Sequence, residues 1–220
     1  METTVTTTQQ AMSPAPLSAK SLFSQDEVKN KFKELLGKRA TSFMTSVLQI
    51  VAQNSMLRNA DPMSVYQAAA VAATLDLPLN NNLGFAYIVP YNERREDANG
   101  NKITVQVAQF QMGYKGFIQL AQRSGQFKTI NCTDVREGEI KSHDRLTDEI
   151  EFNWIQDISI RNTKKVVAYV AFFKLLNGFE KANLMYVDEL EQHGKKYSQT
   201  FKKGYGLWKD DFAGMAAKQP

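Results

Sequence analysis

Apolar positions recur at helical spacing through the first third of the chain and then alternate. Val28, Phe32, Leu35 and Leu36 fall on one side of a helix that starts near Ser24. Ser24 and Glu27 have the spacing of a capping box, and Gly37 stops the helix. A second helix runs from about Thr41 to Leu57, with Phe43, Val47, Ile50 and Val51 facing inward. Asp61-Pro62 opens a third, with Asp as cap and Pro at the first helical position. The small side chains from Ala68 to Ala73 permit close approach of another helix.

The period then changes. Phe85–Tyr91 and Ile103–Phe110 read as strands, and the Asn99-Gly100 turn joins them into a β-hairpin with a long charged tip. Helical periodicity returns from Gly113 to Gly125. Phe127–Val135, Glu149–Trp154, Val166–Leu176 and Phe179–Val187 read as further strands, the last two joined at Asn177-Gly178. Asp188 caps a helix through Gln192, and short helices follow, ending with one through Trp208 to Lys218. This order predicts an α+β fold: amino-terminal helices, a central antiparallel sheet with a β-hairpin and one inserted helix, and carboxyl-terminal helices. The opening stretch is rich in Thr, Gln, Ser and Pro and poor in large apolar groups. It predicts a disordered arm over residues 1–22, ahead of a single α+β domain over 23–220.

Composition narrows the classes of function. Among 220 residues there is a single cysteine, Cys132, and only two histidines, His143 and His193. This excludes an internal disulfide, a multi-cysteine zinc site and a histidine-rich metal site. Cys132, in an apolar-flanked strand, reads as packing. No apolar run is long enough to span a membrane, and the amino terminus lacks the features of a signal peptide. A net charge of +4 and a pI of about 9.0 are compatible with nucleic acid without requiring it.

Placement of the charges says more. Lys115, Gln119 and Arg123, spaced i, i+4, i+8, form an outward row of donors suited to phosphate oxygens, opposite Phe117, Leu120 and Ala121. Gly113 and Gly116 would let a backbone or phosphate approach the start of that helix. On residue types alone, an ordinary amphipathic helix with a solvated face is the better account. Further on, Lys195, Lys196, Lys202, Lys203 and Lys209 interleave with Tyr197, Phe201, Tyr205 and Trp208. That combination suits single-stranded DNA, and it equally suits a core stripe with solubilising lysines. Arg94-Arg95 at the hairpin tip is nearly neutralised by Glu93, Glu96 and Asp97, so a solvated turn is the better reading there. Glu137, Glu139, Asp144, Asp148, Glu149, Glu151 and Asp157 raise the alternative of a metal-dependent nuclease, but their spacing fits no calcium loop. A solvated acidic edge accounts for them better. No P-loop, HExxH, GxSxG or Cys-x-x-Cys occurs.

Three segments, in order, resemble the phage RecT family of ATP-independent single-strand annealing proteins. They are AAAVAATLDLPLNNNLGFAYIVPY (68–91), QMGYKGFIQLAQRSGQFKTINCTDVREGE (111–139) and the Trp208–Lys218 stretch with its Met-Ala-x-Lys ending. The resemblance implies a protein that does no covalent chemistry and uses no cofactor. It implies a homo-oligomer that coats single-stranded DNA, pairs it with a complementary strand and holds the annealed duplex. It further implies a bacterial cytoplasmic setting, a partner exonuclease and contact with a host single-strand-binding protein. Carried onto this chain, the expected DNA-binding positions are Gln111, Tyr114, Lys115, Gln119, Arg123 and Lys218. Lys195, Lys196, Lys202 and Lys203 are added on composition. Relatives often continue past the Met-Ala-x-Lys ending, whereas here Pro220 would interrupt that helix or the chain is truncated. A passive single-strand protector remains the alternative.

Overall fold

A computed structural model of the chain describes residues 18–198, 201–202 and 206–217. The chain divides into two compact units, Met1–Gly113 and Tyr114–Pro220.

The first unit contains α1 (Ala19–Phe23), α2 (Asp26–Leu36), a short 3-10 turn (Gly37–Arg39), α3 (Ala40–Gln53), α4 (Ser55–Arg58) and α5 (Pro62–Thr74). One hairpin follows, β1 (Ala86–Glu96) with β2 (Lys102–Met112). Ser24 does not cap α2. The capping box belongs to Ser18 and Ser21 at the head of α1, while Ser24 ends that helix and donates its hydroxyl to the Lys20 carbonyl at 2.8 Å. The reason is apolar: Leu22 and Phe23 are buried, and a helical turn is what turns both inward. Phe32 of α2 sits at the centre of the unit, its ring 5.6 Å from Phe23, 5.7 Å from Phe43 and 5.9 Å from Tyr66.

The Asp61 carboxylate accepts from the Met63 amide at 3.1 Å, with Pro62 at the first helical position, as the sequence predicts for α5. The alanines of α5 serve a strand as well as helices. Ala68, Ala69, Ala72 and Ala73 are buried, and α5 lies along β2 as well as against α1 and α2. The Ser64 hydroxyl accepts from the Ala108 amide at 2.8 Å, and the Asp61 amide donates to the Gln106 carbonyl at 2.8 Å. The hairpin is longer than its apolar pattern shows. Pairing runs out to Glu96↔Lys102, so most of the charged tip is paired strand and only Asp97–Asn101 turns. Gly100 takes φ +79°, and the Asp97 carboxylate accepts from the Asn99 and Asn101 amides at 2.9 and 2.8 Å.

The second unit opens with α6 (Tyr114–Ser124) and continues with β3 (Phe127–Arg136), β4 (Ile140–Asp144), β5 (Glu149–Phe152), α7 (Ile158–Thr163), β6 (Val166–Leu175), β7 (Glu180–Tyr186), α8 (Val187–Tyr197), α9 (Leu207–Asp210) and α10 (Phe212–Ala216). The α+β class is as expected, with the strands divided among three antiparallel sheets: β1-β2, β3-β6-β7 and β4-β5. In the three-stranded sheet Thr133, Val170 and Leu184 pair across one row, and Asp134, Tyr169 and Met185 across the next. Directly opposed residues share a face, so alternate rows face opposite sides. Val135, Ala168, Val170 and Leu184 pack under Ile140, Ile150 and Phe152 of the β4-β5 hairpin. On the other face, Tyr169 packs with Leu190 of α8 and Ala216 of α10.

A buried ionic network braces this unit. Glu139 is fully buried, so it is not part of a solvated acidic edge. Its carboxylate accepts from the Arg136 amide at 2.7 Å, from the Ile155 amide at 3.3 Å and from Arg161 Nε at 2.8 Å. Arg161 also reaches the Asp134 carboxylate at 3.2 Å, and Arg136 reaches the same group at 2.7 Å. Burial pushes both carboxyls up. Hydrogen bonds from Arg161 and the Arg136 and Ile155 amides (for Glu139), and from Arg136 and Arg161 (for Asp134), outweigh it and hold both below the usual carboxylate range.

Candidate nucleic-acid interface

The helix α6 forms where the sequence predicts it, but it turns a different side inward. Gly116 is its one buried residue, with Gln119, Leu120 and Ala121 half-buried. Phe117 is 62% exposed, with Tyr114 at 40% and Ile118 at 38%. Phe117 therefore does not belong to an inward stripe, and Gln119 does not belong to a fully outward row. The physical cause is the missing side chain at Gly116. That is the flattest point on the helix, so the helix sits down on it and its neighbour Phe117 swings out. Lys115 and Arg123 are exposed, as expected. Gly113 lies against backbone of the chain itself, because a Cβ there would stand 2.2 Å from the Gly84 carbonyl oxygen.

Immediately after α6, Lys128, Thr129, Ile130 and Asn131 of β3 are also exposed. β3 is an edge strand, and α6 packs on it. No acidic residue occurs between Asp97 and Asp134. The exposed surface of α6 and the start of β3, through Asn131, therefore carries Lys115, Arg123 and Lys128, uncharged donors and bare aromatic rings, with no carboxylate of its own. Cys132 is exposed on this strand instead of packed, while burial of its thiol raises the thiol pKa and disfavours a thiolate.

Gln111 lies on β2 of the first unit, where its side-chain amide donates to the Tyr91 hydroxyl. Lys195 and Lys196 lie on α8, which packs on β6 and β7, away from the β3 edge that carries α6. Lys195 pairs with Glu191 at 3.3 Å, and Lys196 Nζ stands 5.0 Å from the Tyr197 ring centroid. Lys202 is exposed. Lys203 and Lys218 lie outside the described residues. The interleaved aromatics divide. Tyr197 is 62% exposed, but Phe201 and Trp208 pack ring to ring at 5.4 Å, and Trp208 meets Phe212 at 5.8 Å. A Cβ on Gly194 would stand 2.6 Å from the Phe201 ring, so that ring is seated on α8. Phe201 and Trp208 are structural, and Tyr205 lies outside the described residues.

Several of the acidic residues around β4 and β5 are individually employed. Glu151 pairs with Lys141 at 2.9 Å, Asp148 with Lys181 at 2.9 Å, and Asp157 caps α7. Among the described residues, no group of three or more His, Cys, Asp or Glu is placed to hold a metal ion. At the hairpin tip, Arg95 bonds Glu93 at 3.0 Å and lies 3.8 Å from Asp61.

Against known families, the model of the RecT family matches residues 41–219. The chain belongs to the RecT family. That match takes in the exposed α6–β3 surface of this RecT-family chain, the first unit from residue 41 onward and nearly all of the second. It is 46% identical to the uncharacterized protein YqaK of Bacillus subtilis (strain 168) over 199 residues, which is 90% of the chain and 63% of that protein. It is 34% identical to Protein RecT of Escherichia coli (strain K12) over 93 residues, 42% of the chain and 33% of that protein. The chain thus spans less than two thirds of the length of these relatives. Among the described residues, no helix is long and apolar enough to cross a membrane.

Proposed function

We propose that this RecT-family chain anneals complementary DNA strands without a nucleoside triphosphate, binding single-stranded DNA along α6 and the start of β3. The observation that carries this reading is the acid-free surface with Lys115, Arg123 and Lys128 beside the exposed rings of Tyr114 and Phe117. Cations neutralise phosphates and release counterions, while rings stack on bases of any sequence. Such contacts leave Watson–Crick edges free, so a second strand supplies the specificity. Gln111, Gln119, Lys195, Lys196, Lys202, Lys203 and Lys218 extend the proposed DNA-binding set. Lys195 can exchange exposed Glu191 for a phosphate at little cost, because exposed ion pairs contribute only about 0–1 kcal/mol. The working form is a homo-oligomer in the bacterial cytoplasm, supplied with single strand by a partner exonuclease and in contact with a host single-strand-binding protein. No bond is made or broken by the protein.

Pairing of complementary labelled oligonucleotides, followed without ATP, tests the reading. Faster pairing with protein supports it. Slower pairing would identify a passive protector, and an unchanged rate would remove both.

A further inference from the structure

A cavity of about 750 Å³ lies in the second unit, between the three-stranded sheet and the β4-β5 hairpin. Its size is within the roughly 300–1,000 Å³ of ligand-binding clefts. Phe152, Trp154, Phe172 and Phe179 line it, with Phe152 and Trp154 stacked at 4.5 Å and 18°. Asn131 and Thr133 add an amide and a hydroxyl. Three carboxylates, Asp148, Glu149 and Glu180, also line it; Asp148 is bonded to Lys181 at 2.9 Å and Glu180 is paired with Lys174. Glu149 is left as the lining charge that no lysine offsets; it repels phosphates and attracts a cation, and aromatic walls favour a cation further. The cleft is thus opposite in character to the α6–β3 surface.

One wall of the cleft is the start of β7, through Glu180, Lys181 and Ala182. β7 ends the β3-β6-β7 sheet, and among the described residues no strand pairs with its outer side. An edge strand presents a row of backbone donors and acceptors that an incoming extended chain can satisfy. Side chains alternate along such a strand, so every second one would point toward the cleft.

We propose that this cleft docks an extended, cationic peptide segment of a partner protein. The segment adds as a strand to the outer edge of β7, sets an apolar side chain among Trp154, Phe172 and Phe179, and places Lys or Arg beside Glu149. The proposal does not depend on the α6–β3 surface binding DNA.

Hydrogen exchange of the full chain tests it, with the capped pentapeptide Lys-Val-Phe-Val-Lys as probe. The expected result is slower exchange at Glu180–Ala182, and binding about tenfold weaker in the exposed-site variant Glu149→Lys. Trp154→Ala should also lose binding, but Glu149→Lys carries the test because it leaves the packing untouched. The capped pentapeptide Glu-Val-Phe-Val-Glu should not bind. Equal binding of the two peptides, or no protection at β7, would overturn the proposal. So would protection of the same amides by oligothymidylate, which would make the cleft a nucleic-acid surface.

Discussion

The helices α2 and α6 have the same length, 11 residues, and both carry an apolar stripe on an otherwise polar surface. Their stripes meet different fates. Phe32 of α2 is 1% exposed among three other aromatic rings, whereas Phe117 of α6 is 62% exposed. An apolar stripe is thus a request for a partner, and the fold supplies one for α2 and leaves Phe117 of α6 without one. What surrounds each stripe differs too. α2 opens with Asp26 and Glu27, while α6 and the first half of the strand after it carry no acid. A bare aromatic stripe within a cationic surface is suited to a polyanion with flat faces.

Four measurements would break or sharpen that contrast. The largest effect should come from Phe32→Ala, which should lower unfolding free energy by about 3–5 kcal/mol, while Phe117→Ala stays within about 0.5 kcal/mol in the same urea titration. Similar losses in both would mean that Phe117 is buried in solution. Arg161→Ala should cost about 3–5 kcal/mol by leaving the Glu139 carboxylate buried without its main partner, seen as faster hydrogen exchange in β3 and β6. Because the folded pKa values of Glu139 and Asp134 are lowered, their stabilisation is complete above the unfolded values of about 4.3 and 3.9 and is lost as pH falls below them. Acid should therefore loosen β3 and β6 while the apolar core around Phe32 holds, and Arg161→Ala should flatten this dependence. Next in size, Phe117→Ala should weaken oligothymidylate binding by about 1–3 kcal/mol with an unchanged salt slope, as expected of a stacking surface. The smallest effect is on that slope. Lys115→Ala and Arg123→Ala should each reduce it by about one unit, and a constant slope would rule out phosphate contact there.

Much of this was legible in the pattern of side chains. The order of elements, α5 with its Asp61-Pro62 start, and the Asn99-Gly100 and Asn177-Gly178 turns follow from local chemistry that tertiary packing does not overrule. The failures share a cause. Phe117 reads as inward because it is apolar, but one missing side chain at Gly116 decides how α6 sits. The apolar neighbours of Cys132 point to packing, yet β3 is an edge strand, a fact set by pairing far along the chain. Glu139 looked like one of many surface acids, and only the fold brings Arg161, 22 residues away, onto it. β4 and α7 leave no clear pattern in the sequence because each is short and weakly periodic. Lys128 could have been found, since the absence of acids from Asp97 to Asp134 is visible in the sequence.

The two tight turns also set a chemical clock. An Asn-Gly pair ages when the glycine nitrogen attacks the asparagine side chain, closing a succinimide that opens to aspartate or isoaspartate. In this fold both nitrogens are occupied, Gly100 donating to the Asp97 carbonyl at 3.0 Å and Gly178 to that of Leu175 at 3.1 Å. Deamidation at Asn99 and Asn177 should therefore wait for each hairpin to open. The isoaspartate that accumulates on storage, measured by peptide mass, would record how often each turn comes undone.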